Sequence, residues 1–342
     1  MKHQTRRSLA GKVIDGHSHA GVSIKAYSLA EYPYAQTIEG LYYRQLAGGV
    51  DVNVVFPFTA DLYFDPPALA RGVMIPARKP LSPAPYAAEN RLLAREIYDF
   101  CPELADRFLP FACIDPVRKI RKQLRELRQL VREYPFYGLK VNPVGCQSPV
   151  SGLLAGGAPL LDFAEEHDLP LLFHATLDPK EEYSQASDVF RIVEQRPGLR
   201  FCIAHSLLFH RESLERADAL PNVWVDTAAM KIQVECMRVE IGRMRPAAEF
   251  LDVDYSDYRA VMRALCSRFP DTIIWGTDSP AYSWICRRKQ GKGVYKEFRL
   301  KATYADEIDA LRTLKPALRA RVAGANTLAF LFGASRTAGR GR

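Results

Sequence analysis

Short apolar runs alternate with longer amphipathic segments along most of this chain. Eight runs are continuous enough to predict strands buried on both faces of a parallel sheet, at residues 13–16, 52–56, 108–114, 137–141, 170–173, 200–204, 223–226 and 272–276. The segments between them carry apolar residues at helical spacing and predict helices at 88–100, 119–133, 159–167, 184–195, 258–268, 304–313 and, as a closing pair, 316–332. Strands that alternate with helices in this way predict an α/β fold, the (β/α)8 TIM barrel.

A doubly wound dinucleotide-binding sheet is the alternative fold, and it needs a Gly-x-Gly-x-x-Gly turn after the first strand. Residues 16–21 read Gly-His-Ser-His-Ala-Gly and do not supply that turn. Because no linker or low-complexity segment divides the chain, we expect a single barrel domain over residues 13–333. An N-terminal arm at 1–12 would precede it, and a basic disordered tail at 334–342 would follow.

The composition is that of an ordinary globular protein. The chain has 342 residues, of which 48% are hydrophobic and 25% charged, so its length is ample for a packed core. No apolar stretch approaches the roughly 20 residues of a membrane span, and the N-terminus lacks the apolar region of a secretory signal. The seven cysteines form no Cys-x-x-Cys pair, which favours reduced thiols and a cytoplasmic location.

The formal net charge of +8 raises the question of an acidic partner. Much of the excess falls on the predicted helix at 119–133, where basic residues occupy the solvated face. A second basic cluster at 287–293 predicts a loop. No nucleic-acid-binding motif accompanies either cluster, so we expect a small-molecule substrate and neither a nucleic-acid nor a membrane partner. The charge favours an anionic substrate, and assembly into a homo-oligomer stays open.

Polar side chains stand where the predicted strands end, which is where a (β/α)8 barrel places its active site. Two residues apart on the first strand, a pair of histidines shares one face. Neutral imidazoles together with one carboxylate form a site that suits Zn²⁺, with Mn²⁺ or Fe²⁺ as alternatives. The residues at the strand ends are His17 and His19, Lys140, His174, His205 and Asp278.

This arrangement resembles the amidohydrolase superfamily of metal-dependent barrels, and most closely its amidohydrolase-related branch (amidohydrolase 2), which contains hydrolases and non-oxidative decarboxylases. Six motifs carry the resemblance and together span almost the whole chain. They are Ile-Asp-Gly-His-Ser-His at 14–19, Gly-Leu-Lys-Val-Asn-Pro at 138–143, Leu-Phe-His at 172–174, Ile-Ala-His-Ser at 203–206, Ile-Trp-Gly-Thr-Asp-Ser-Pro at 274–280 and the closing segment at 324–333.

The resemblance implies roles for the residues at the strand ends. His17, His19, His174 and Asp278 would ligate a divalent metal, and His205 would face the substrate or hold a second metal. In binuclear members a lysine at the position of Lys140 is carboxylated and bridges two metals. In the amidohydrolase-related branch the site is typically mononuclear, so we favour one metal and keep the bridged pair as the alternative.

These parts predict a metal-dependent hydrolase that cleaves an amide, ester or lactone-type bond of a small substrate. The metal would activate a water molecule, Asp278 would take its proton and pass it to the leaving group, and His205 would polarise the scissile carbonyl. A non-oxidative decarboxylase of an aromatic or unsaturated acid is the alternative, because the same residues would chelate a carboxylate and protonate carbon. A non-catalytic ligand-binding barrel is the second alternative.

Two predicted connections are longer than usual, from residue 57 to about 87 after the second strand and from about 228 to 257 after the seventh. Loops of this length usually carry function, so we expect substrate contacts on them and after the last strand. With Lys140, the candidate contacts are Tyr63, Phe64, Lys231, Arg238, Tyr282 and Trp284.

Overall fold

The computed structural model describes residues 3–28, 35–240, 245–281, 283–291 and 294–333. Its main feature is a curled sheet in which eight strands run parallel and a short ninth strand pairs antiparallel with β1. In chain order these strands are β1 (Ile14–Val22), β2 (Ala35–Gln36), β3 (Val52–Pro57), β4 (Phe108–Ile114), β5 (Gly138–Val141), β6 (Leu171–Phe173), β7 (Phe201–Ile203), β8 (Val223–Asp226) and β9 (Ile273–Ile274). The order in the sheet is β2-β1-β3-β4-β5-β6-β7-β8-β9.

Helices connect the strands, and most of them cover the outside of the sheet. They are α1 (Ile24–Ser28), α2 (Ile38–Gly48), α3 (Pro66–Leu69), α4 (Ala87–Arg95), α5 (Ile120–Glu133), α6 (Pro143–Cys146), α7 (Ala158–Glu166), α8 (Ala186–Gln195), α9 (Arg211–Ala219), α10 (Met230–Glu240), α11 (Tyr258–Arg268), α12 (Tyr304–Arg312), α13 (Pro316–Ala320) and α14 (Asn326–Phe332). A two-stranded antiparallel hairpin, β10 (Ser283–Gly291) with β11 (Val294–Lys301), follows β9. None of the described helices is long and apolar enough to span a membrane.

The backbone closes the sheet into a barrel along a seam between β1 and residues 275–279. Gly16 N donates to Trp275 O at 2.9 Å, Asp278 N to His17 O at 2.8 Å and His19 N to Ser279 O at 2.7 Å. Glycines permit this close approach, because a Cβ on Gly16 would lie 2.6 Å from Ile274 Cγ2 and one on Gly276 would lie 2.7 Å from the Cβ of His17. The predicted (β/α)8 barrel is therefore confirmed.

A buried carboxylate ties this seam together from inside. Asp15 is fully buried and accepts hydrogen bonds from His17 N at 3.1 Å, Thr277 N at 3.0 Å, Thr277 Oγ1 at 2.6 Å and Asn53 Nδ2 at 3.0 Å. Burial raises the pKa of Asp15 to about 7. One side chain thus joins β1, β3 and the segment after β9.

Alternating side chains of each strand divide the core in two. On β4, Leu109, Phe111 and Cys113 point into the barrel, whereas Phe108 and Ile114 pack outward against the helices. The end of the barrel opposite the strands' C-termini is filled by α14, whose Phe330 ring lies 6.1 Å from that of Phe111 and 5.9 Å from that of Trp224. The open end is therefore the C-terminal one.

The connections differ from the expectation in two places. The long connection after β8 is not a loop throughout, because it contains α10. The basic stretch at 287–293 was expected in a loop, but residues up to Gly291 belong to β10, and the register sets Arg287 opposite Glu297 of β11. Charged residues can belong to such a strand because the antiparallel ribbon supplies the backbone hydrogen bonds of both strands. Residues 334–342, the expected tail, lie outside the described residues.

We expect Asp15→Ala to lower the free energy of unfolding by about 3 kcal/mol, because buried donors on both sides of the seam lose their acceptor. Asp15→Asn keeps one acceptor oxygen and should cost less. Urea denaturation of chelator-treated protein measures both without a contribution from bound metal. Asp106→Ala, at an exposed position, is the control and should stay within about 0.5 kcal/mol of the parent. An equally small effect of Asp15→Ala would contradict the role of the seam.

Candidate metal centre

Three of the predicted ligands converge at the open end of the barrel. His17 and His19 stand on β1, and Asp278 lies just past β9. Asp278 Oδ1 is 3.2 Å from His17 Nε2 and 3.0 Å from His19 Nε2, and all three residues are buried. Although 259 positions separate His19 from Asp278, the seam brings them side by side.

The donor set and its spacing fit a zinc ion. Ligand atoms placed 2.0–2.1 Å from zinc at tetrahedral angles lie roughly 3.3 Å from one another, close to the separations between Asp278 Oδ1 and the two imidazole nitrogens. Imidazole nitrogen and carboxylate oxygen are also the donors that catalytic zinc sites use. The same group of side chains is the only cluster of at least three histidine, cysteine or acidic residues among the described residues with ligand atoms this close together.

Oxygen acceptors orient both histidines for metal binding. His17 Nδ1 lies 2.8 Å from Asp226 Oδ2, and His19 Nδ1 lies 3.4 Å from the carbonyl oxygen of Pro57. Because these oxygens accept, each Nδ1 carries the proton and each Nε2 presents its lone pair to the cluster. Metal-ligating histidines are held in this way by a second layer of acceptors. Aromatic rings also fix His19, since Phe58 stacks on it with 4.7 Å between centroids.

His174 and His205 form a pair beside the three ligands. His205 Nδ1 lies 3.1 Å from Ala228 O, so it donates there, and its Nε2, 2.9 Å from His174 Nδ1, accepts the proton of that nitrogen. This chain of hydrogen bonds leaves the Nε2 lone pair of His174 free. The structure places His174 next to the three-residue cluster but outside it, and within the described part of the chain its Nε2 takes part in no hydrogen bond.

The backbone is strained at two of these functional positions. His205 has a φ of 63° and Asp278 a φ of 61°, in the left-handed region that costs an L-residue roughly 1–2 kcal/mol. His205 begins a run of such residues that ends at Phe209. Strain of this kind is characteristic of positions where the side chain must point in a required direction.

Burial and neighbouring charges set the protonation of the cluster. Burial lowers the pKa of His19 to about 4 and that of His174 well below its usual range, so both imidazoles are neutral at pH 7, the form that binds metal. Burial and Lys140 also lower the pKa of His17, but Asp226 and Asp278 outweigh them and raise it. Burial favours the neutral acid of Asp278, yet His17 and its other partners hold the pKa well below its usual value.

Lys140 lies at the bottom of the same site. Its side chain is 1% exposed, and its Nζ is 3.4 Å from His17 Nε2 and 4.7 Å from the centre of the Phe56 ring. Burial lowers the pKa of this amine, while Asp226 and Asp278 oppose the shift. Lys140 is thus a buried basic group close enough to contact a group bound between His17, His19 and Asp278.

A cavity of about 470 Å³ opens above the cluster, large enough for a small organic substrate. Its floor consists of the four histidines, Lys140 and Asp278. Apolar residues form much of its wall, among them Phe58, Val144, Leu208, Ala229 and Ile232.

Of the predicted substrate contacts, only Lys140 lines this cavity among the described side chains. Tyr63 and Phe64 are buried in the inner core and do not line this cavity, because their connection folds back onto the barrel. Lys231 pairs with Asp306 at 3.1 Å, and Arg238 is exposed on α10; neither lines the cavity. Tyr282 lies outside the described residues. Trp284 belongs to β10, but its side chain is outside the described part of the structure.

Sequence reasoning missed the residues that hold the ligands in place. Asp226 accepts from His17 Nδ1 and also, through Oδ1, from His205 N at 3.0 Å. The sequence contains a signal for Asp226, because this residue ends the predicted seventh strand, as the other polar site residues end theirs. Asp15 adjoins the histidine motif but faces away from the metal cluster into the seam, which spacing alone does not reveal.

Comparison with solved structures places the fold among known barrels. The chain is similar to 5-carboxyvanillate decarboxylase LigW from Sphingomonas paucimobilis, with 13% identity, 94% of this chain and 99% of the other covered, and a TM-score of 0.55. It is similar to a probable 2-pyrone-4,6-dicarboxylic acid hydrolase from Acinetobacter baumannii, with 14% identity, 94% and 100% coverage and a TM-score of 0.52. For IDCase from Metarhizium anisopliae the values are 12%, 97% and 100%, and 0.55.

Because these sequence identities are low, the likeness to the three structures shows a shared fold and nothing more. No curated protein sequence gives a significant match. The family assignment comes instead from a family model described as amidohydrolase, which matches residues 15–333. That match takes in every residue of the histidine and carboxylate cluster. The chain therefore belongs to the amidohydrolase family of metal-dependent enzymes, whose members include hydrolases and decarboxylases.

Proposed function

We propose that this enzyme is a zinc-dependent hydrolase that cleaves an amide, ester or lactone-type bond of a small anionic substrate. One observation carries the proposal: the two carboxylate oxygens of Asp278 have different surroundings. Oδ1 lies among the metal-ligating nitrogens, whereas Oδ2 takes part in no hydrogen bond within the described residues, and the side chain borders the cavity. A carboxylate placed in this way can ligate a metal and exchange a proton with a water molecule beside it. Family membership sets aside the non-catalytic barrel.

The ligands of the proposed site are His17 Nε2, His19 Nε2 and Asp278 Oδ1, and His174 would complete the set through its free Nε2. Neutral imidazoles with one carboxylate favour zinc over harder cations. Because the same donor set leaves Mn²⁺ and Fe²⁺ as alternatives, metal analysis is part of the test below. A single ion is favoured, since one cluster of three close ligand atoms is present among the described residues.

A bound divalent cation supplies Lewis-acid chemistry and lowers the pKa of water from 15.7 toward about 7. Asp278 Oδ2 would accept the proton of the attacking water and later deliver it to the leaving group, as a general base and then a general acid. The substrate carbonyl would lie against the face of the site where Lys140 and His205 stand. The ammonium of Lys140 would stabilise the developing negative charge on oxygen, and His205 would do so once its Nε2 is protonated.

His205 needs a change of partner before it can act on the substrate. Its Nδ1 proton is held by Ala228 O, so only Nε2 can receive a proton or donate one. That nitrogen accepts from His174 in this structure. We therefore propose that His205 reaches the substrate only after the His174 ring rotates to direct its own lone pair at the metal.

A decarboxylase is the second candidate, favoured by the position of Lys140. A buried amine 3.4 Å from His17 Nε2 would pair with a carboxylate brought to the metal ligands. The carboxyl group would leave as CO₂, and Asp278 or His205 would deliver a proton to the ring carbon that it leaves. Both reactions would use the same acid–base groups, and Asp278 Oδ2 is available to either of them. The proposal of hydrolysis rests on the place of Oδ2 next to the ligating Oδ1, where it would meet a metal-bound water.

We expect the parent protein to retain about one equivalent of zinc after dialysis and the double variant His17→Ala, His19→Ala to retain less than about a tenth. Metal analysis by mass spectrometry measures both. His167→Ala removes an exposed histidine and should leave the metal content unchanged. Unaltered zinc content in the double variant would refute the proposed ligands.

Asp226→Asn should weaken zinc binding by about 10- to 100-fold, because the amide cannot accept from His17 Nδ1 and His205 N as the carboxylate does. Competition with a chelating dye measures the affinity. Asp162→Asn, at an exposed position on α7, serves as the control. Equal affinities for the parent and Asp226→Asn would show that Asp226 does not orient His17.

The reaction can be tested with the compounds named for the structural neighbours and a panel of carboxylate-bearing aryl esters, lactones and anilides. In ¹⁸O-water, zinc-loaded enzyme should open 2-pyrone-4,6-dicarboxylate or a panel member with one ¹⁸O atom in the product and no CO₂. Asp278→Asn should lower that rate by roughly 10²- to 10⁴-fold. Release of CO₂ from 5-carboxyvanillate or a related acid, without hydrolysis of the panel, would replace the hydrolase with the decarboxylase.

A further inference from the structure

The cavity above the metal centre contains two positively charged residues at different depths. Lys140 belongs to the floor, where its Nζ approaches His17. The other is Lys25, a half-buried residue of α1 that also lines the cavity. β1 continues for three residues beyond His19, to Val22, before α1 begins. Because each residue of a strand advances the backbone by about 3.3 Å, β1 ends about 10 Å beyond His19. Lys25 therefore belongs to the rim of the cavity.

The backbone of Lys25 is held in a fixed position. Its N–H donates to Asp61 Oδ2 at 3.1 Å, and the Asp61 side chain is itself only 4% exposed. One residue on, Ala26 N donates to Ser23 Oγ at 3.3 Å. These contacts anchor the start of α1 to the connection after β3. The side chain of Lys25 is thus presented from a rigid base, which favours a binding role over a freely moving surface charge.

The charge of Lys25 is available for a ligand. Within the described part of the chain its Nζ forms no ion pair, whereas the other charged residue of the upper cavity, Asp178, is engaged in its own turn through a 3.0 Å hydrogen bond from Lys180 N. At the floor, Asp278 would be balanced by the metal. The floor of the loaded cavity would therefore carry an excess of positive charge, and Lys25 is the cation that the rim offers to a second anionic group.

Between these two charged ends the wall is largely apolar. Phe58, Ala26, Leu208, Ala229 and Ile232 lie along it, and they would contact a ring or a short hydrocarbon chain. A substrate complementary to the whole cavity has one polar, reacting end at the metal, an apolar body and a second negative group at the rim.

We propose that Lys25 binds an anionic group of the substrate remote from the bond that reacts. The enzyme would then select small organic acids that carry an acyl or carboxyl group at the reacting end, an apolar body and an anionic group at the other end. This inference rests on the proposed function, because it assigns the reacting end to the metal centre. The lysine ammonium would pair with a carboxylate at the rim, and it would touch no reacting atom. Lys25 is a specificity residue.

Matched pairs of inert acids test this role without turnover. Isophthalate, terephthalate and naphthalene-2,6-dicarboxylate are compared with benzoate and 2-naphthoate, which lack the second carboxylate, by calorimetry on zinc-loaded protein. At least one diacid should bind ten or more times as tightly as its monoacid. Lys25→Met should abolish that ratio and change the monoacid affinity less than twofold, and Lys25→Arg should restore part of the ratio. Lys122→Met, on the exposed face of α5, controls for the loss of one positive charge.

The outcomes separate this inference from the proposed function. A diacid advantage that survives in Lys25→Met, or the absence of any diacid advantage in the parent, overturns the role of Lys25 and leaves the hydrolase test unaffected. A Lys25-dependent advantage in a protein that hydrolyses nothing in the panel supports the rim site and rejects the hydrolase. Equal weakening of mono- and diacids by Lys25→Met would mean that the residue acts on the whole cavity, which also overturns the proposal.

Discussion

The functional site depends on the seam that closes the barrel between β1 and residues 275–279. Three backbone hydrogen bonds and the buried carboxylate of Asp15 fix that seam. His17 and Asp278 are themselves hydrogen-bonded to each other across the seam, so the distance between the imidazole nitrogen of one and the carboxylate oxygen of the other is set by the barrel's closure. A buried carboxylate that accepts from both sides is a strong constraint, because leaving any of its donors unpaired would cost more than the bond gains. Metal geometry in this enzyme is therefore a consequence of how the barrel closes.

Around the seam, the site concentrates charges that would be unfavourable one at a time. Asp226 and Asp278 are buried with His17, His205 and Lys140, and each stays buried because another member compensates it. A divalent cation would add positive charge to a group that already holds one buried amine. The most favourable additional partner of the metal-loaded site is then an anion. The charges of the residues on the cavity floor therefore favour an anionic substrate. The formal charge of +8 pointed weakly in the same direction, but the local balance at the site is the stronger physical reason.

The sequence predicted the barrel and the convergence of His17, His19 and Asp278 at its open end, because both follow from one-dimensional patterns. β4, β8 and α11 have the boundaries that apolar periodicity indicates, and polar residues at strand ends converge in any closed barrel. Tyr63 and Phe64 could not be placed from the sequence, because only the three-dimensional course of the connection after β3 decides whether an aromatic residue meets the core or the cavity. The hydrogen bond between His174 and His205 was equally inaccessible, since it depends on side-chain rotation and on the left-handed backbone at His205. Lys25 carries no motif at all; its place at the rim follows from a contact with Asp61 that lies 36 residues away in sequence.

β1 and the α1 segment that follows it carry two functions that evolution can change separately. The inward-facing histidines of β1 are fixed by the seam, because a shift of one residue would turn both away from Asp278. Beyond Val22 the chain leaves the barrel, and the constraint on α1 reduces to the hydrogen bonds that anchor Lys25 and Ala26. A substitution at the rim can therefore alter which substrates enter without moving the metal ligands, whereas a substitution at the seam must affect stability and chemistry together. The same strand thus joins the least replaceable part of the enzyme to the part that is easiest to modify.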